Sequence, residues 1–396
     1  MRPANRIFST EDARRLAKRR LPRMVFDFIE GGAGRETGMA RNLEQFDKIL
    51  LQPRVMADVE GRSQSTRLLD AQYDAPFGVA PMGMCNLACP HADRMIAETA
   101  RELNIPMCLS SAGSSTLESV YEWAGKNVWF QLYFGQSADI SLATADRAQE
   151  VGYSTLVLTV DVPQVSRRVR DLRNGFTMPF KMTPGAFVDF ACHPLWSVST
   201  LFAGVPSPKN HVPAERGERF VRNASRAGAD WSFLEKLRKR WGGKLVVKGI
   251  TSPEDAVRAQ QAGVDAIYVS NHGARQLDGV PPSLKLLPIV RQAVGPAMPL
   301  LFDSGVRNGE DIVKALILGA DFVMLGRPVM YALGANRKRG LKDLLRCLAE
   351  DIDITMAQLG TTSVSDLGPH NLFDDGEAAD DPQSDGGGAR LHVAGQ

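Results

Sequence analysis

The amino-acid sequence predicts an α/β fold: a (β/α)8 TIM barrel with an N-terminal helical segment and a long insertion after strand 4. Three observations carry this. Short apolar runs recur between residues 77 and 325, each ending in small or polar residues. Helix-like segments separate them, which argues for parallel strands joined by crossover helices. No GxGxxG follows the first run, so the fingerprint of a doubly wound open sheet is lacking.

In chain order, residues 9–30 read as helix. Ser9 or Thr10 can cap it, Glu11 and Asp12 suit its positive end, and Leu16, Leu21, Met24, Val25 and Phe28 form an apolar stripe. Pro22 divides it into two short helices and Gly31-Gly32 stops it. A polar connector with an extended piece then runs to about Tyr73, so residues 1–73 precede a barrel of residues 74–367. The predicted strands are Phe77–Ala80, Met107–Leu109, Val128–Tyr133, Thr155–Val160, Leu245–Lys248, Ala266–Ser270, Leu300–Phe302 and Phe322–Leu325. Helices are expected near 91–104, 115–124, 137–150, 231–241, 252–262, 283–294 and 309–319, and a long segment near 336–358 closes the series.

The interval from Val160 to Leu245 is far longer than its counterparts. Its excess, roughly 176–230, carries apolar surface from Phe176, Phe180, Phe187, Phe190, Leu195, Trp196, Leu201 and Phe202. Arg216, Arg219, Arg222 and Arg226 then recur at helical spacing and can share one face. Two readings stand: a lid at the catalytic mouth, or a patch resting on an anionic membrane surface. Residues 368–396 are acidic and Gly-rich and are expected to be disordered.

Composition narrows the function classes. A content of 44% hydrophobic and 23% charged residues is that of a soluble globular protein, and a net charge of +2 gives no reason to expect a nucleic-acid partner. Cys85, Cys89, Cys108, Cys192 and Cys347 are scattered and odd in number, which reads as reduced thiols; Cys85 and Cys89 alone are too few for a metal site. The basic N-terminus lacks an apolar signal core and no run is long enough to span a bilayer, so a cytoplasmic location is expected.

The chemistry collects where strands end, as barrel enzymes require. The stretch Ser270-Asn271-His272-Gly273-Ala274-Arg275-Gln276-Leu277-Asp278-Gly279 puts a base three residues from a fixed cation. A histidine moves protons near neutral pH, and an arginine holds a carboxylate bidentately. Other strand ends give Ala80-Pro81-Met82, Ser110, Gln131 with Tyr133, Thr159 with Asp161 and Arg168, and Lys248. The last two give Asp303, Gly305 and Arg307, then Gly326 and Arg327, the Gly and Arg pairing of a phosphate site.

Ser270–Asp278 is close to diagnostic of one family, supported by Leu21-Pro22, Trp129–Tyr133, Val247-Lys248-Gly249 and Lys314-Ala315-Leu316. From about residue 9 to 367 the chain resembles the FMN-dependent L-2-hydroxy acid dehydrogenase/oxidase family, in its (S)-mandelate and L-lactate dehydrogenase branch. The resemblance implies FMN held by Ala80, Pro81, Met82, Ser110, Gln131, Thr159, Lys248 and Ser270, with its phosphate among Asp303, Gly305, Arg307, Gly326 and Arg327. It implies His272 as the base, taking a proton from the α-carbon or the hydroxyl, with Asp161 holding the imidazole. Arg168 and Arg275 would clamp the substrate carboxylate, Tyr133 would bond near the reacting oxygen, and Lys248 would offset charge on the reduced cofactor. A homotetramer is also implied. Phe28 stands where the family has a tyrosine that bonds the carboxylate. Gly83 stands where oxidases more often have alanine, which tilts the reading towards electron transfer to a quinone. An oxidase producing hydrogen peroxide and a non-catalytic flavin- or phosphate-binding barrel are the alternatives.

Overall fold

Eight parallel strands close into a barrel because their residues alternate between two apolar environments. The strands are β3 (Phe77–Met82), β4 (Met107–Ser110), β5 (Val128–Leu132), β6 (Thr155–Thr159), β7 (Lys244–Ile250), β8 (Ala266–Val269), β9 (Leu300–Phe302) and β10 (Phe322–Leu325), after the hairpin β1 (Thr66–Leu68) and β2 (Ala71–Tyr73). Their order is β10-β3-β4-β5-β6-β7-β8-β9, which confirms the fold class. Cys108, Trp129, Val157, Val246, Tyr268, Leu301 and Phe322 fill the interior. Their neighbours along the strands, among them Leu109, Phe130, Leu158, Val247, Val269 and Phe302, pack with the helices in a second cluster. The computed structural model describes residues 6–178, 180–210 and 225–373.

The N-terminal segment divides at Pro22 into α1 (Thr10–Arg20) and α2 (Arg23–Glu30), and the Ser9 side chain caps α1 on Asp12 N–H. The connector holds more structure than its polarity suggests. Helix α3 (Thr37–Asp47) forms there with a weak apolar stripe, and hairpin β1–β2 puts Leu68 and Tyr73 among the barrel's interior side chains. Around the barrel lie α4 (Ala92–Glu102), α5 (Leu117–Ala124) and α6 (Ala138–Val151).

The insertion after β6 folds as helices α7 (Val169–Arg173), α8 (Pro184–Cys192) and α9 (Pro194–Ala203). Its aromatic residues split into two sets. Phe176, Phe180, Phe190 and Trp196 pack on one another, and the Trp196 indole N–H donates to the Leu87 carbonyl at 2.8 Å. Phe187, Leu195, Leu201 and Phe202 are 63%, 86%, 79% and 87% exposed. The chain then completes the barrel with α10 (Trp231–Arg240), α11 (Pro253–Gln261), α12 (Ser283–Val294), α13 (Gly309–Ile317) and α14 (Arg327–Gln358). The span α14 is two helices parted at Asn336 and Arg337, whose dihedrals are not helical; the second is the long segment expected near 336–358, and a first helix, started at Arg327 with Pro328 in its first turn, precedes it. Residues 368–373, expected in the tail, are packed instead. Leu372 bridges Leu51, and Phe373 N–H donates to the Leu50 carbonyl at 3.0 Å. The tail from 374 and Arg216, Arg219 and Arg222 lie outside the described residues.

Candidate active site

The carboxyl ends of the strands open into a cavity of about 650 Å³. Phe28, Ala80, Pro81, Met82, Tyr133, Thr159, Arg168, Lys248, His272, Arg275, Asp303, Gly305, Arg307, Gly326 and Arg327 line it. Ser110, Gln131, Asp161 and Ser270 stand behind this wall and hold it. Ser110 donates to Gln131 Oε1 at 2.7 Å; Ser270 bridges Lys248 Nζ at 2.6 Å and Asp303 Oδ1 at 2.6 Å. Every site residue expected from sequence therefore meets at one end of the barrel.

The loop after β8 is held in an uncommon backbone shape. His272, Gly273 and Ala274 all have positive φ, at 56°, 61° and 56°. Asn271 fixes the turn: its Oδ1 accepts from Ala274 N–H at 3.1 Å, and its amide exchanges bonds with Asn42 of α3 at 2.7 and 3.0 Å. His272 Nδ1 lies 2.8 Å from Asp161 Oδ1. A carboxylate acceptor there selects the Nδ1–H tautomer and leaves Nε2 with its lone pair. Gly249 makes the pairing sterically feasible. It has φ +106°, and a Cβ there would stand 2.5 Å from Asp161 Cβ.

Electrostatics sort the groups by role. Burial depresses the His272 pKa below its ordinary value, outweighing the opposing pull of Asp161, so the imidazole is neutral at pH 7. Burial alone would raise Asp303, but Lys248 at 3.1 Å and hydrogen bonds from Ser270, Ser304 and Tyr268 hold it below the carboxylate range. Lys248 stays charged: Asp303 and Asp161 outweigh its burial.

Arg275 donates to the carbonyls of Phe28, Ile29 and Gly31 at 2.9, 3.2 and 2.6 Å, and Arg327 to those of Glu30 and Gly31 at 3.1 Å each. The carbonyl end of α2, its negative pole, thus seats both arginines. Phe28 lies 5.4 Å from the Arg275 guanidinium and stacks on Phe176 at 4.4 Å with an 8° tilt.

Of the insertion, Phe176 and Arg226 line the cavity, in keeping with the reading of a lid at the catalytic mouth, although neither stands out in the sequence as a site residue. Of the four arginines expected on one helical face, only Arg226 is among the described residues. Residues 225 and 226 are irregular, and the Arg226 guanidinium lies 4.6 Å over the Tyr133 ring. No periodicity signals this contact; the nearest clue is that Arg226 sits just before Asp230, the cap of α10.

The residues fit a flat heterocycle carrying a phosphate. Gln131 Nε2 and Thr159 Oγ1 are buried with no hydrogen-bond partner among the described residues, as expected of atoms facing a polar ring edge. Arg307 and Arg327 line the cavity together with Gly305 and Gly326, a set that suits a phosphate, and a Cβ on Gly326 would meet nothing within 4 Å. Among the described residues no group of three or more His, Cys, Asp or Glu side chains could hold a metal, and no helix is long and apolar enough to cross a membrane.

Residues 17–374 match the model of the family described as FMN-dependent dehydrogenase. An L-lactate dehydrogenase from Xanthobacter autotrophicus is 37% identical over 92% of this chain and 96% of that protein. A (S)-mandelate dehydrogenase from Pseudomonas putida is 37% identical over 93% and 95%. The crystal structure of a monotopic membrane protein, (S)-mandelate dehydrogenase, superimposes with a TM-score of 0.88 at 35% identity, covering 93% of this chain and all of that one. Family model, relatives and cavity agree: the chain belongs to the FMN-dependent dehydrogenases, oxidoreductases acting on CH–OH donors with FMN as cofactor.

Proposed function

We propose that the chain oxidises an L-2-hydroxy acid to the 2-oxo acid and passes the electrons to a quinone-type acceptor. The observation that carries this is the His272–Asp161 pair, facing a cavity that Arg168 and Arg275 also line. Arg168 and Arg275 hold the substrate carboxylate, which fixes the carbinol carbon relative to His272. The neutral imidazole takes one of the two protons released, at Nε2, and Asp161 stabilises the imidazolium that results. Tyr133 bonds the reacting oxygen. Gln131, Thr159, Lys248 and Ser270 would hold the isoalloxazine, and Arg307 and Arg327 the phosphate. When bound, FMN supplies the electron sink for the two electrons leaving the substrate carbon. The stacked Phe28–Phe176 wall favours an aromatic, mandelate-like side group over a methyl.

Exposed Phe187, Leu195, Leu201 and Phe202 on α8 and α9 favour docking of the insertion on a membrane, where quinones reside. A relative of this chain is described as a monotopic membrane protein, which supports the same reading.

The test is anaerobic mixing of the yellow holoenzyme with (S)-mandelate, L-lactate and their enantiomers. Bleaching by an L-acid is expected, fastest with mandelate; no bleaching by any L-acid would leave a flavin-binding barrel without turnover. Reoxidation of the bleached enzyme by a soluble quinone, compared with air and peroxide release, separates a dehydrogenase from an oxidase.

A further inference from the structure

The insertion returns to the barrel through residues fixed at three points. Arg226 N–H donates to the Pro163 carbonyl at 2.9 Å. Gly228 lies so close to Phe134 that a Cβ would stand 2.3 Å from its ring. Asp230 Oδ1 caps α10 by accepting from Phe233 N–H at 2.8 Å. With its backbone held, the Arg226 side chain reaches into the cavity and covers the face of Tyr133. Three of the other cations there are engaged elsewhere: Lys248 by Asp303, and Arg275 and Arg327 by carbonyls of α2 and Gly31. No carboxylate pairs with Arg226 among the described residues, so the Tyr133 ring is its specific neighbour there.

We propose that Arg226 is a positioning residue for Tyr133: its guanidinium holds the ring face and aims the phenol at the substrate's reacting oxygen. The inference rests on the role given to Tyr133 above. A cation over an aromatic face is attracted by the ring quadrupole, more strongly when both are shielded from water. The same charge polarises the phenol O–H, making it a better donor to an oxygen that gains negative charge. Burial and Asp161 push the phenol pKa up; Arg226 leads the cations that oppose them, followed by Lys248 and Arg168. The contact also ties the root of the insertion to the reacting centre.

Two measurements on the FMN-loaded enzyme test this. With fluorotyrosine placed at position 133, a fluorine NMR titration reads the ionisation of that phenol. Arg226→Met should raise it by about half a unit or more, and Arg226→Lys should stay near the parent. In stopped flow, Arg226→Met should slow anaerobic flavin bleaching about tenfold while substrate Kd changes less than about threefold. Tyr133→Phe combined with Arg226→Met should be no slower than Tyr133→Phe alone. An unmoved fluorine titration, additive rate losses, or weaker substrate binding at an unchanged rate would each overturn the assignment. If no hydroxy acid bleaches the parent enzyme, the proposed reaction fails, and the fluorine titration still decides the Arg226–Tyr133 coupling.

Discussion

His272→Gln retains a hydrogen-bonding side chain but removes the titratable nitrogen. The variant should stay yellow and bleach at least about 100-fold more slowly, the usual contribution of a positioned base; substantial residual bleaching would remove His272 from that role. Because burial holds the imidazole below its ordinary value, its neutral form persists as pH falls. The acid limb of flavin bleaching should therefore lie below about pH 6.5, with activity lost as pH drops through the folded-state value. Asp161→Asn withdraws the charge that raises that value, so its limb should move lower still while the rate falls. Phe28→Tyr restores a hydroxyl near Arg275 and should lower KM for a simple L-2-hydroxy acid about tenfold, measured by steady-state kinetics. His272 and Asp161 were readable because a barrel gathers strand ends into one rim; Phe28, in α2, stood out only through the resemblance. That the insertion could close over the mouth was readable too, but not that Phe176 and Arg226 enter the cavity, because an insertion imposes no period that says which side chains turn inward.

At the scale of elements, the α8–α9 pair separates two jobs within one apolar segment. Trp196 and Phe190 anchor it to the barrel, while Leu201 and Phe202 face outward. Leu201→Glu with Phe202→Glu should abolish flotation with anionic vesicles and leave anaerobic bleaching unchanged; flotation equal to the parent would refute docking through this face. Helix α13 shows how a cap reaches the cavity wall. Asn308 Oδ1 accepts from Asp311 N–H at 2.7 Å, and Asp311 Oδ2 accepts from Arg307 N–H at 2.7 Å. Asn308→Ala should cost about 1 kcal/mol of stability in urea unfolding. It should also speed FMN loss on dilution, since the Gly305–Arg307 turn would loosen. Helix α3 escaped sequence reading because its buried residues include Gly38 and Asn42, which carry no apolar signal. Asn42 is there for the loop after β8, a contact 229 residues away in sequence.

Over the whole molecule, the closed barrel was legible because its strands must feed two apolar layers, and that alternation is written in Val, Leu, Ile and Phe. The closure of its lower end was not legible. Hairpin β1–β2 is the extended piece expected in the connector, but nothing signals that Tyr73 meets Phe322 edge-on at 5.7 Å inside the barrel. Tyr73→Ala should cost about 3–5 kcal/mol in denaturant unfolding, as buried aromatic truncations do, and leave substrate Kd unchanged because the site lies at the other end. The opposite result, weaker binding without lost stability, would contradict the layout.

Gly83 lines the cavity, at the position where the resemblance implies that oxidases more often have alanine. A Cβ there would stand 2.9 Å from the Ala112 Cβ and 3.4 Å from its carbonyl oxygen, and neither neighbour can swing aside. Alanine at 83 is therefore one codon change away but is not sterically neutral by itself. Ala112→Gly would open the space first, so the two substitutions are expected to be epistatic: their order decides whether the intermediate folds as well as the parent.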